Sequence, residues 1–380
     1  MCVTKKNKSR NDDSEVGSCA EKLPKTDKET YQSNKENEAS TPRGTTPVIG
    51  DSMKVAKSSE KSKEKVLKWI HRTLEMGVDG LVAEFQKIPK VDPKSFSTKA
   101  FSENKEKNRY QDVPCQDNDR VVLTFPGVST DYIHANYVGT AIDKRRFICT
   151  QGPLEKTLFD FWAMVIQEKC ETIIMLCNFC EQDKIKCEPY WPSEKNEEPK
   201  KQVMKFGTAP NEITVSSPDK PYRMKEDAGI NITVLKVEWV EGGDLKSRQV
   251  RHYQWESWPD RGVPQNKLTP TELLSYVRGN PNPIVVHCSA GIGRTGTIVA
   301  IAYVQERMQA GKDCMEMVEL VLELRRHRPY SIQNDMQYLY LHRVLLAYFL
   351  EKHQDKLKLP AESRAKFDEW VARYDTLTKG

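Results

Sequence analysis

The stretch Ile284-Val285-Val286-His287-Cys288-Ser289-Ala290-Gly291-Ile292-Gly293-Arg294-Thr295-Gly296 holds the residue types for nucleophilic attack on an anion. A β-branched run, read as a buried strand, ends in a cysteine. The short loop Ser289, Ala290, Gly291, Ile292 and Gly293 follows, and Arg294 stands six residues after Cys288. Thr297-Ile298-Val299-Ala300-Ile301-Ala302-Tyr303-Val304 reads as the buried helix after it. A loop feeding a helix N-terminus points free N–H groups at an anion, and the helix dipole adds positive potential. The same field favours a cysteine thiolate, the nucleophilic form. Arg294 adds a planar fork for phosphate oxygens. The pattern implies phosphoryl chemistry.

The loop has other readings. Gly291-Ile292-Gly293-Arg294-Thr295-Gly296 fits the G-x-G-x-x-G dinucleotide fingerprint, which requires a second strand beyond the helix with an acidic residue at its end. Residues 315–326 read as another helix instead. A Walker A loop is excluded, because no Gly-Lys-Ser/Thr follows. A purely structural Cys288 stays open, but it leaves Arg294 unexplained.

Further markers give the chain a family resemblance. Lys107-Asn108-Arg109-Tyr110-Gln111-Asp112-Val113, Asp131-Tyr132-Ile133-His134-Ala135-Asn136-Tyr137 and Thr150-Gln151-Gly152-Pro153-Leu154 come in order. Phe161-Trp162, Lys186-Cys187 with Tyr190-Trp191-Pro192, Trp258-Pro259-Asp260 and Gln333 follow. Together with the Cys288 loop they resemble tyrosine-specific, non-receptor protein tyrosine phosphatases from about residue 108 to 337. The N-terminal helical extension resembles that of the expanded single-domain phosphatases of nematodes.

The resemblance implies a reaction and its residues. Cys288 would be the nucleophile of a phosphocysteine intermediate, Arg294 the phosphate clamp, and Asp260 the general acid. Asp260 sits on a loop bounded by Pro259 and Pro264 and carrying Gly262, so it could close over substrate as a unit. His287 would support the loop. Thr295 would bond the thiolate or serve as a helix N-cap. Gln333 would position water, with Gln337 in support. Tyr110 would line a deep pocket and Asp112 would hold substrate backbone amides. Lys186 would meet the acid and Glu181 would orient Arg294, or each would form a surface ion pair. Three positions depart from the usual pattern. His134 replaces an asparagine, Tyr330 a glycine, and Arg261 a residue that often packs on the substrate ring. Local rearrangement and altered selectivity are expected there.

The elements that must position these residues mix α and β. The expected fold is α/β, a highly twisted mixed sheet flanked by helices. Strands are expected at residues 120–124, 146–151 and 172–177. A hairpin of 231–240 and 245–256 turns at Glu241-Gly242-Gly243-Asp244. Val66, Ile70, Leu74 and then Leu81, Val82, Phe85 recur at helical spacing on either side of Gly77 and Gly80, predicting two short helices from about Lys63. Residues 1–62 are polar and almost free of aromatics, which predicts a disordered tail; 63–355 form the catalytic domain and 356–380 a short helical extension.

Composition sets the remaining bounds. The 380 residues suffice for one large domain. No apolar run is long enough for a bilayer span, and the first residues lack a signal-peptide core, so a cytoplasmic location is expected. Lys5-Lys6-Asn7-Lys8-Ser9-Arg10 is either a nuclear address or a solvated charge run. Thr41-Pro42 and Thr46-Pro47 are candidate phosphorylation sites or plain linker. Ten cysteines in such a chain imply thiols rather than a disulfide framework. Cys170, Cys177, Cys180 and Cys187 are spaced in a way that suggests zinc, but the resemblance assigns them to a core strand and a loop. No metal or cofactor is expected. A net charge of +5 suits acidic phosphopeptides and does not point to nucleic acid. The expected partners are phosphotyrosine-containing proteins, with a monomer the default state. The alternatives in other classes are a phosphotyrosine-binding pseudophosphatase, which would need damage at Cys288, Arg294 or Asp260, and a scaffold with incidental catalysis.

Overall fold

A computed structural model describes residues 49–380 apart from 142, 194–202, 353–356, 358, 379 and 380. The expectations for the N-terminal tail before residue 49 lie outside the described residues. The helices are α1 (Ile49–Gln86), α2 (Lys99–Glu103), α3 (Leu158–Gln167), α4 (Thr269–Val277), α5 (Arg294–Gln309), α6 (Met317–His327), α7 (Asp335–Ala347) and α8 (Ala361–Thr378). The strands are β1 (Arg120–Val122), β2 (Tyr132–Val138), β3 (Phe147–Thr150), β4 (Thr172–Met175), β5 (Cys180–Glu181) and β6 (Lys184–Ile185). After them come β7 (Val203–Phe206), β8 (Ile213–Ser216), β9 (Tyr222–Arg223), β10 (Ile230–Glu241), β11 (Asp244–Trp255) and β12 (Ile284–His287).

One mixed sheet runs in the order β1-β2-β3-β12-β4-β11-β10-β8-β7, with β9 on β10 and β5-β6 as a separate pair. The inner ladders β3-β12, β12-β4 and β4-β11 are parallel, and the outer ones are antiparallel. Parallel strands covered on both faces read as continuous apolar runs. Ile284, Val285 and Val286 do so and are fully buried. This is the α/β mixed sheet expected from the sequence. β12 lies centrally and delivers Cys288 to the loop before α5, which is buried along nearly its whole length.

The hairpin turn follows its chemistry. Glu241 pairs with Asp244, and Gly242 and Gly243 take φ of 62° and 89°, the double left-handed turn that matches strand twist. The N-terminal segment differs from expectation at its start. α1 begins at Ile49, ahead of Lys63, and residues 57–65 hold no apolar residue to announce the helix there. Gly77, at φ 64° and ψ 177°, breaks α1 into two arms. Strand β2 also escapes the alternation signal. All seven residues are buried, including His134 and Asn136, whose polar groups have partners inside.

Candidate active site

Residues 288–294 wrap the Cys288 sulfur. Cys288 is 4% exposed, and the Gly291 N–H donates to its Sγ at 3.3 Å. Burial alone would push the thiol up. The Arg294 guanidinium, the Thr295 hydroxyl and N–H, and the Gly291 N–H outweigh it, so the thiol is held below its ordinary value. The buried Thr295 hydroxyl has no other partner. Gly291 sits at φ 70°, and a Cβ there would lie 2.0 Å from the Thr150 carbonyl oxygen. Only glycine lets the loop lie this close to β3.

Arg294 is almost fully buried. It donates to both carboxylate oxygens of Glu181, at 2.7 and 2.8 Å, and to the Trp258 carbonyl at 3.1 Å. Its other contact is Asp260 Oδ1 at 3.4 Å. Lys186 Nζ donates to Asp260 Oδ2 at 2.6 Å. Burial would raise the Asp260 carboxyl, but the Lys186 ammonium and Arg294 guanidinium hold it below the usual carboxylate range. Tyr110, Asp112, Lys186, Asp260, Cys288, Ser289, Ala290, Gly293, Arg294, Gln333 and Gln337 all line one cavity, of about 130 Å³. Arg261 lines it too, whereas Tyr330 does not. Ile292 is buried behind the loop.

The glutamines close over Gly293. A Cβ at Gly293 would meet Gln333 Oε1 at 3.0 Å and Gln337 Nε2 at 2.9 Å. The Gln333 N–H donates to Gln337 Oε1 at 2.8 Å. The Tyr110 hydroxyl bonds Ser289 Oγ at 2.8 Å, fixing the segment 107–113 against the Cys288 loop.

His287 lies beneath the site, fully buried, and burial lowers its pKa to about 4. Its Nδ1 faces the Cys288 carbonyl at 3.1 Å, and a carbonyl only accepts, so Nδ1 carries the proton. Nε2 of the neutral ring then accepts from the Tyr190 hydroxyl at 2.7 Å. The Tyr190 oxygen in turn accepts from His252 Nε2 at 2.7 Å. His252 Nδ1, at the end of this relay, is left as a bare lone pair, in agreement with its lack of a partner.

Sequence reasoning missed Arg328, which is completely buried. Its guanidinium donates to the Ala290 and Gly291 carbonyls, each at 3.1 Å, and to Asn136 Oδ1 at 2.9 Å. With these carbonyls held outward, the loop N–H groups turn inward. His134 completes the clamp. Its Nδ1 accepts from Arg328 at 3.1 Å, and its Nε2 donates to the Val113 carbonyl at 2.8 Å. Burial and Arg328 push its pKa to about 3, so it stays neutral. Through Arg328 the histidine thus links Val113 to the Cys288 loop. Arg328 gave no spacing signal beyond standing before Pro329.

Comparison with known proteins gives the family. A family described as protein-tyrosine phosphatase matches residues 104–347. The chain belongs to the protein-tyrosine phosphatase family. It is 36% identical over 279 residues to the Caenorhabditis elegans tyrosine-protein phosphatase Lar-like, and 37% over 270 residues to human receptor-type tyrosine-protein phosphatase eta. The matches cover 70% and 68% of this chain but only 12% and 18% of those relatives. The solved catalytic domain of human protein tyrosine phosphatase non-receptor type 18 is 34% identical, with a TM-score of 0.56 over 67% of this chain and 88% of that one. A second structure of that phosphatase, in complex with HER2 phosphopeptides, is 31% identical and gives 0.62 over 76% and 99%. No helix among the described residues is long and apolar enough to cross a membrane.

Proposed function

We propose that this phosphatase-family chain hydrolyses phosphotyrosine on proteins through a phosphocysteine intermediate. One observation carries the reading: a buried Cys288 sulfur, bonded by the Gly291 and Thr295 N–H groups, shares one cavity with Arg294 and Asp260. Cys288 attacks phosphorus while Arg294 and the loop N–H groups take the equatorial charge. The P–O bond to the tyrosine breaks, and Asp260 gives its proton to the departing phenolate. Water held by Gln333 and Gln337 then attacks the phosphocysteine, Asp260 takes a proton from it, and the Cys288 thiolate departs with help from Thr295. His287 supports the loop through the Cys288 carbonyl. Tyr110 walls the cavity, Asp112 holds substrate amides, and Ser289, Ala290, Gly291, Ile292 and Gly293 supply the cradle. A structural neighbour solved with phosphopeptides supports the substrate class. The reading also places the chain in the cytoplasm, with residues 63–355 as the catalytic domain.

The test is a matched pair of phosphotyrosine and phosphoserine peptides assayed with and without a chelator. Strong preference for phosphotyrosine and indifference to the chelator are expected. Equal catalytic efficiencies on the two peptides would refute the deep-pocket assignment. Activity that vanishes with chelator and returns with a divalent ion would refute the thiolate mechanism.

A further inference from the structure

We infer that Asn334 is a positioning residue that latches the general-acid loop over the cavity and ties it to the glutamine helix. The inference rests on the assignment of Asp260 as the acid. Polar contacts from other elements hold residues 258–262 in place. Arg294 bonds the Trp258 carbonyl, Lys186 and Arg294 meet the Asp260 carboxylate, and Asn334 Nδ2 donates to the Arg261 carbonyl at 2.9 Å. Arg294 and Lys186 line the cavity, so a bound phosphoryl dianion competes with the loop for both. Asn334 does not line it, so an anion in the cavity does not compete for its contact.

Two independent bonds fix the Asn334 amide. Its Oδ1 accepts the Gln337 N–H at 2.9 Å, capping α7, so its NH₂ must face the other way, toward the Arg261 carbonyl. The residue whose carbonyl it holds is strained: Arg261 has φ 58°, a left-handed conformation that non-glycine residues keep only when their surroundings impose it. Asn334 also directly follows Gln333, whose N–H is bonded to Gln337. One side chain therefore caps the helix that carries Gln337, directly after Gln333, and holds the loop that carries the acid. Asp260 is needed in both chemical steps and the glutamines in the second, so the latch keeps the two sets in register.

The test is Asn334→Asp, which keeps the capping acceptor but replaces the donor with an oxygen that repels the Arg261 carbonyl. The assay is kcat/KM on aryl phosphates of graded leaving-group pKa, with wild type, Asn334→Asp and Asp260→Asn side by side. A fall of about three- to tenfold is expected on the poorest leaving group, the size set by one hydrogen bond of modest net worth. It should shrink toward the best leaving group, with unchanged inhibition by inorganic phosphate and an unchanged melting temperature. A merely structural role would lower all substrates alike. Unchanged leaving-group dependence in a folded Asn334→Asp protein overturns the latch, provided Asp260→Asn steepens it. If Asp260→Asn does not steepen it, the acid assignment has failed instead. Should Asn334→Asp melt early, Asn334→Ser, which caps but is too short to reach Arg261, takes its place with the same two readings.

Discussion

Cys288 must be an anion in a buried pocket, and burial works against that. The structure answers with one full positive charge, Arg294, and with N–H groups that cannot reorganise away. Alkylation of Cys288 by iodoacetamide, followed against pH, should therefore titrate below an ordinary thiol. Thr295→Val should move the titration upward, since it removes a hydroxyl that favours the thiolate. An unmoved profile would assign Thr295 to helix capping alone. Asp260 poses the opposite problem, because an acid needs its proton and Lys186 and Arg294 favour the carboxylate. Its depressed pKa puts loss of the proton early as pH rises, on the basic side of the kcat/KM profile. Lys186→Met removes an ammonium at 2.6 Å, so the Asp260 pKa rises and the basic limb should move to higher pH. A limb that stays put or moves down would contradict this coupling.

At the scale of elements, backbone turns decide what the side chains can do. Gly242 and Gly291 have similar left-handed φ, 62° and 70°, but unequal surroundings. A Cβ on Gly242 meets nothing within 4 Å, whereas one on Gly291 runs into β3. Gly242→Ala should cost about 1 kcal/mol of stability, the left-handed penalty alone, and leave kcat untouched. Gly291→Ala should abolish turnover, because the loop cannot keep its path past Thr150. Comparable activity of the two variants would show that the loop tolerates a shift. The hairpin and the Cys288 strand were legible because each has a local signature, paired glycines or a β-branched run. β2 was not, since His134 and Asn136 look solvated until Arg328 is brought to them from far along the chain. The Arg328 clamp and the Asn334 latch are long-range pairings of this kind. Local periodicity carries no information about them.

Across the whole molecule, α1 is part of the support of the fold. Trp69 is fully buried and stacks on His342 of α7 with ring centroids 5.5 Å apart. Glu84 accepts from Arg72 and from the Tyr338 hydroxyl, joining the two arms of α1 to α7. Arg325 bonds the Pro89, Ser331 and Ile332 carbonyls, so the chain after α1 reaches the strained segment before Gln333, where Ile332 has φ 60°. Trp69→Ala should cost about 3–5 kcal/mol, a large part of a typical domain's stability. Thermal unfolding should report it, with kcat nearly unchanged well below the melting point. A loss near zero would mean that α1 is only an ornament on α7. The apolar repeat from Val66 onward announced this helix. Its partners on α7 could not be read from the same segment.

Identification of the phosphorylated residue in Gln333→Ala protein, quenched in acid during turnover of a phosphotyrosine peptide, tests the central claim most directly. Slowed hydrolysis should let the intermediate accumulate, and mass spectrometry should find one phosphoryl group on the Cys288 peptide. Phosphate on another residue, or continued turnover by Cys288→Ser protein, would contradict the account.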